Sequence, residues 1–167
     1  MPDTMRAAVF KDVRDIHLEQ VPYPTCGPTD AIVKVTTTTI CGTDSHIWRG
    51  EYPVAPGRVV GHEPAGVIHE LGGAVQGYEI GDRVIVGAIT PCGSCYFCQN
   101  SDFSQCAGYE DKWGVIGGWR LGNSIDGVQA EFFRVPYAQA NLARIPEGLT
   151  DEEVLFITDI ATTGIAA

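Results

Sequence analysis

Apolar residues along the chain gather in short runs rich in β-branched side chains: Ala7–Phe10, Ala31–Thr39, Ala65–Leu71, Arg83–Ala88 and Ala130–Val135. Each run is brief and bounded by Gly, Pro or Asp, which is how strands are punctuated. Gly81-Asp82 marks a tight turn into the fourth run. Regular strand-and-turn spacing without helical repeats predicts a barrel or sandwich of mostly antiparallel strands. One segment reads as helix. Thr150, with Glu153 three residues on, forms a capping box, and Asp151 and Glu152 sit where the helix dipole favours negative charge. That helix is expected to run through Val154, Leu155 and Ile157 towards Thr162-Thr163-Gly164. The stretch from Thr90 to Asn123 differs. Rich in Gly and Cys and without periodicity, it needs something other than a hydrophobic core to hold it.

Composition narrows the class. A chain of 167 residues and 17.9 kDa has room for one domain or slightly more. Hydrophobic residues make up 44% and the mean hydropathy is +0.01, so a sizeable core can be buried. The formal net charge of −10 repels phosphate backbones and anionic lipid, so neither nucleic acid nor a membrane surface is an expected partner. No apolar run approaches the roughly 18 residues of a membrane span, and Met1 to Lys11 is too polar for a secretory signal. These features predict a soluble, cytoplasmic protein. In that compartment six cysteines point to metal ligands before disulfides.

Cys92, Cys95, Cys98 and Cys106 follow the pattern Cys-x2-Cys-x2-Cys-x7-Cys. Four thiolates so close in sequence can close a tetrahedron around one Zn²⁺, leaving no open position for chemistry, so the site is structural. Gly93 and Ser94 supply the tight loop of the first pair. Zinc would order a lobe that lacks its own core, because binding energy becomes folding energy. An iron–sulfur cluster shares the opening Cys-x2-Cys-x2-Cys, but the remaining spacing lacks that pattern's Cys-Pro ending.

A second constellation follows the strand at Ala31–Thr39: Cys41-Gly42-Thr43-Asp44-Ser45-His46, then Gly61-His62-Glu63. Cys, His and a carboxylate converging from separate segments form the ligand set of an open catalytic zinc. Each residue alone has an ordinary reading as a small buried hydrophobe or a hydrogen-bonded core histidine. Cys26, His17 and His69 have no motif around them.

Taken in order, Cys41-x-Thr43-Asp44-x-His46, Gly61-His62-Glu63-x2-Gly66, Gly81-Asp82-Arg83-Val84 and the four-cysteine lobe resemble the zinc-dependent medium-chain alcohol dehydrogenases. The resemblance runs from Met5 to Gly164. The ending Asp159-x3-Thr163-Gly164 is similar to the secondary-alcohol branch, where aspartate replaces a ligating cysteine. That branch often lacks the lobe zinc, whereas this chain keeps all four cysteines.

The resemblance implies a mainly β fold: a GroES-like, partly open barrel with a zinc-stapled lobe over 90–123 and a few short helices. It implies two Zn²⁺ per chain. Cys41, His62 and Asp159 would hold the catalytic ion, with Glu63 as a nearby or exchangeable ligand, and Cys92, Cys95, Cys98 and Cys106 the structural one. Neighbours on an extended segment point to opposite sides, so His62 and Glu63 can share an ion only if the backbone bends there. Thr43 would take the hydrogen bond from the substrate alcohol, and His46 would pass the proton towards solvent. Asp44 would fix a histidine's ring orientation, or cap a helix running into His46-Ile47-Trp48. Trp119 would wall the substrate pocket or serve as a core aromatic.

The implied activity interconverts an alcohol and its aldehyde or ketone with NAD or NADP, in a complete enzyme expected to form homo-oligomers. No Gly-x-Gly-x-x-Gly turn for the nicotinamide occurs in the chain. The cofactor domain is therefore expected after residue 167, with this chain an incomplete catalytic domain. The contrasting readings are a non-catalytic zinc-binding GroES-like module, inactive alone, and a redox thiol or iron–sulfur protein.

Overall fold

The computed structural model describes residues 3–108 and 118–166. Strand β1 (Thr4–Asp12) turns Met5, Ala7 and Val9 inward and pairs antiparallel with β2 (Asp15–Pro22). The other strands are β3 (Ala31–Thr38), β4 (Pro64–Leu71), β5 (Arg83–Val86), β6 (Phe132–Val135) and β7 (Leu142–Arg144). They form one antiparallel sheet in the order β6-β3-β4-β5-β7. Ala31, Ile32 and Val33 are fully buried, as an interior strand requires. Bridges from Ala7 to Ala130 and from Val9 to Val59 join the β1–β2 ribbon to the rest, giving the expected mainly β, partly open arrangement.

All five expected strands exist, with shifted ends. The fifth starts at Phe132 rather than Ala130, and the fourth stops at Val86 because the chain turns away to form the lobe. Strands β2 and β7 lie outside the expectation. Ribbon strand β2 buries little, and its turn Val13-Arg14 carries no Asn-Gly signal although Arg14 adopts φ +63°. Lys11 of β1 pairs with Glu19 of β2 at 2.7 Å, and within β2 His17 stands between Asp15 (2.8 Å) and Glu19 (2.9 Å).

The main core gathers Val33, Ile68, Val84, Phe133 and Val135 inside the sheet. A smaller cluster of Phe10, Ile47 and Val60 seats helix α1 (Gly42–Trp48) against β1. Short helix α2 (Tyr96–Gln99) lies within the lobe and carries Cys98, and α3 (Ala138–Asn141) borders it through Asn141.

The expected C-terminal helix begins as foreseen: Thr150 Oγ1 accepts from Glu153 N at 3.3 Å, and Glu153 answers to Thr150 N at 2.8 Å. It does not continue to Gly164. Helix α4 (Asp151–Leu155) passes into a 3₁₀ turn, Phe156–Thr158, and α5 (Ile160–Ala166) starts anew. Asp159 between them has φ −147° and ψ −64°, outside the helical region. Thr162 and Thr163 hydroxyls bond the Asp159 carbonyl (2.6 Å) and carboxylate (2.9 Å), which fixes the break. Val154 and Leu155 pack on Ala65 and Ile145.

Asp151 ties α4 to the sheet. Its carboxylate accepts from Thr36 Oγ1 and from Arg83 Nη2 at 2.5 Å. Burial opposes its ionisation, but the Thr36 hydrogen bond and the Arg83 guanidinium outweigh it, so the carboxyl lies below its ordinary value. The unfolded chain therefore takes up this proton first. The contribution is complete above the unfolded value near 4 and is lost as pH falls through the lower folded value. Asp151→Asn is expected to cost about 1–2 kcal/mol near neutral pH in urea denaturation. The gap to wild type should close as acid titrates Asp151.

Candidate metal centres

Cys92, Cys95, Cys98 and Cys106 converge within the lobe, with all six cysteines of the chain free of disulfides. The sulfur separations are 3.9 Å (Cys92–Cys98), 3.5 Å (Cys95–Cys98) and 3.9 Å (Cys95–Cys106). A tetrahedron of sulfurs around Zn²⁺ has edges of about 3.8 Å, so the four fit that ion. Backbone donors support the thiolates: Cys92 N reaches Cys106 Sγ at 3.2 Å and Cys95 N reaches Cys92 Sγ at 3.4 Å. The N–H groups of Cys98 and Ala107 lower the Cys95 thiol to about 6. Burial and the neighbouring sulfurs push Cys98 up to about 12. One thiol ionises readily while its neighbour resists, which is how like charges behave before a cation joins them.

Sequence reasoning missed the residues that hold this lobe. Arg120, 1% exposed, donates from Nη2 to the Cys106 carbonyl at 3.0 Å. Asn141 Nδ2 donates to the carbonyls of Pro91 (3.0 Å) and Pro136 (2.8 Å), pinning the lobe's base to the barrel. Gly108 passes so close to Cys92 that a Cβ there would lie 2.2 Å from the sulfur. The part of the 90–123 expectation at 109–117, including Gly117, lies outside the described residues.

The second cluster joins Cys41, His62, Glu63 and Asp159, whose ligand atoms all lie within 4.8 Å of one another. His62 Nε2 stands 3.3 Å from Asp159 Oδ2. Nitrogen and oxygen ligands around tetrahedral zinc stand about 3.4 Å apart, so this pair also fits. Each ligand has its own support. Cys41 precedes α1 and gives its N–H to Asp44 Oδ2 at 2.8 Å. Asp159 points inward because the helix breaks at that residue. Glu63 takes a hydrogen bond from Thr39 Oγ1, a residue the sequence did not single out.

His62 and Glu63 can share the site because 61–63 precede β4 and are not regular strand. Gly61 has φ +91°, and a Cβ there would meet Gln129 Cγ at 2.6 Å. Gly127 lies so close to this turn that its own Cβ would stand 2.4 Å from the Gly61 carbonyl oxygen.

Burial raises the Glu63 carboxyl above its usual range; His62 opposes the rise, and the charges of Asp159 and Asp44 add to it. Burial likewise raises Asp44, against the backbone hydrogen bond from Cys41 and the nearby His62. Asp44 does not begin α1. It is the third helical residue and its carboxylate accepts from Cys41 N, so it caps the helix running into His46-Ile47-Trp48 as expected, from inside the first turn and not from the N-cap position.

Thr43 Oγ1 lies 3.7 Å from Cys41 Sγ. His46 is half-exposed, its Nδ1 engaged by the Glu51 carboxylate and its ring 5.1 Å from that of Tyr52. Tyr52 stands 5.9 Å from Trp119, and Trp119 meets His62 edge-on at 5.9 Å. Trp119 also packs with Phe10, Ile47 and Val60 and donates to the Leu121 carbonyl at 2.7 Å. It therefore belongs to a core cluster and borders the metal-type cluster. Glu51 and Tyr52 were not legible in advance, since no spacing rule marks them.

Comparison with known proteins shows the family of the fold. The alcohol dehydrogenase GroES-like domain matches residues 27–147. An alcohol dehydrogenase of Cupriavidus necator is 54% identical over 172 residues, covering 98% of this chain and 47% of that protein. A zinc-type alcohol dehydrogenase-like protein of Schizosaccharomyces pombe is 37% identical over 178 residues, 98% of this chain and 42% of that one. Among solved structures, alcohol dehydrogenase TADH from Thermus sp. ATN1 superposes with a TM-score of 0.85 at 35% identity, over 96% of this chain and 46% of that one. Acetophenone reductase from Geotrichum candidum, solved with NAD, superposes with a TM-score of 0.77 at 25% identity, over 90% and 42%. The chain belongs to the alcohol dehydrogenase GroES-like domain family. It spans about half the length of these relatives. No helix among the described residues is long and apolar enough to cross a membrane.

Any side chain at position 61 meets both a strained φ and the Gln129 contact. Gly61→Ala is expected to lower stability by about 1–3 kcal/mol in urea denaturation.

Proposed function

We propose that this chain is the catalytic part of a zinc-dependent oxidoreductase that interconverts an alcohol and its aldehyde or ketone with NAD or NADP. The observation that carries this reading is the convergence of Cys41, His62, Glu63 and Asp159 from three separate segments. Three of these are anionic when deprotonated and two are buried, a set that suits a divalent cation. Cys41, His62 and Asp159 would hold Zn²⁺, with Glu63 as an exchangeable partner kept in place by Thr39. Bound there, zinc supplies Lewis acidity towards the substrate oxygen. The four lobe cysteines would hold a second, structural Zn²⁺.

The protein's own groups handle the proton. Thr43, beside Cys41, accepts the hydrogen bond of the substrate hydroxyl, and His46 carries the proton to solvent. Glu51 engages His46 Nδ1, so Nε2 is the nitrogen free for exchange. Asp44 holds the Cys41 backbone and lies beside His62, and Trp119 walls the substrate pocket against His62. A nicotinamide cofactor, NAD or NADP, would supply the hydride chemistry.

Elemental analysis of gently purified protein tests this reading. Two zinc ions per chain are expected, falling to one in Cys41→Ala. One zinc in both proteins would leave a zinc-stapled module without a catalytic centre, and iron would overturn the assignment at both sites. A second test concerns specificity. Trp119→Ala in the full-length enzyme is expected to broaden the range of alcohols accepted, read as kcat/KM across a branched and linear series. An unchanged profile would remove Trp119 from the pocket.

A further inference from the structure

The Gly81-Asp82-Arg83-Val84 motif contributes no residue to either metal-type cluster, yet its two charged side chains grip the segment that leads to Asp159. Asp82 Oδ2 accepts from Arg144 of β7 at 2.7 and 3.1 Å. One residue on, the Arg83 carbonyl accepts from Ile145 N at 2.9 Å. The Arg83 guanidinium donates to Asp151 Oδ1 at 2.5 and 3.1 Å and to the Leu149 carbonyl at 2.9 Å. Both sides of the connection from β7 to α4 are therefore fastened by two consecutive residues.

The far end of the same segment is held as well. Ala88 N donates to the Thr158 carbonyl at 3.0 Å, and buried Thr158 gives its hydroxyl to the Leu155 carbonyl at 2.7 Å. The next residue is Asp159, where the helix breaks. Between these anchors α4 buries Val154 and Leu155, while Phe156, Ile157 and Ile160 are exposed. With so little apolar surface fixing two short turns, the polar anchors at their ends decide where they stop.

The two paired ligands differ in how firmly they are set. The His62 side chain is 4% exposed and fixed by its surroundings, whereas that of Asp159 is 30% exposed. A ligand group must be held within about 0.5 Å of its coordinating position, so Asp159 depends on the segment that delivers it. We propose that Arg83 is a positioning residue for the second cluster. Through Asp151 it fixes the start of α4, and through α4 the point at which the chain turns the Asp159 carboxylate towards His62. This rests on the reading of that cluster as a metal centre, and it gives the Gly81-Asp82-Arg83-Val84 motif a part in keeping the centre assembled.

Cobalt(II) is the probe, titrated into protein whose lobe holds zinc and whose second site has been emptied, and followed by its visible absorption. Wild type is expected to bind one cobalt, with a sulfur-to-cobalt band from Cys41. Arg83→Met keeps the aliphatic stem and loses the donors. It should weaken cobalt about tenfold and shift the d–d bands to those of Asp159→Asn, with the Cys41 band retained. Arg83→Lys, which can still donate to Asp151, should recover part of the affinity. Phe133→Leu, a core change away from the segment, should lower stability and leave the cobalt spectrum unchanged. A wild-type spectrum and affinity in Arg83→Met overturn the proposal, as does the same spectral shift in Phe133→Leu. If Arg83→Met does not fold, Asp151→Asn reads the contact from its other side, and an unchanged spectrum there is equally fatal. No second-site cobalt band in wild type would instead overturn the metal-centre reading, and this inference with it.

Discussion

Bringing Cys41, Glu63 and Asp159 around His62 places several acidic groups where burial already disfavours charge. Such a set is held together from outside, by rigid backbone, and a cation would make it favourable from inside. The backbone part is visible at each ligand. Gly61 bends the chain before His62, the Asp44 carboxylate fixes the start of α1 beneath Cys41, and the helix break turns Asp159 inward. Main-chain geometry therefore does most of the positioning, and the side chains need few rotamers of their own.

The lobe solves the same problem differently. Its four sulfurs are near in sequence, and N–H groups from the lobe's own loops point at them. What it borrows from the barrel is attachment. Asn141 and the buried Arg120 satisfy carbonyls at its base, so a segment with little hydrophobic core keeps a fixed place. A buried arginine spent on backbone carbonyls makes sense only where regular pairing has been given up.

The strands were legible because β-branched runs separated by Gly, Pro and Asp have few other uses, and the lobe because four cysteines at those spacings are rarely accidental. Strand β2 escaped notice since half-exposed charged positions carry no burial signal, and β7 since three residues cannot show a period. The capping box at Thr150 gave the start of α4, but the break at Asp159 depends on tertiary contacts that propensity does not encode. In the second cluster only family resemblance joined Asp159 to Cys41 and His62. Thr39, Glu51 and Tyr52 touch those residues from positions that no local pattern singles out.

The spread of ligands along the chain also sets an order of assembly. The lobe's cysteines all lie between Cys92 and Cys106, so a short loop closure suffices to gather them. The other cluster must await Asp159, which follows every strand of the sheet in the chain, and it requires β3, β4 and α4 to be docked. A ribosome-bound chain could thus capture metal at the lobe well before the second site exists. The four-cysteine lobe would then be a nucleus of native structure around which the slower, non-local sheet pairs.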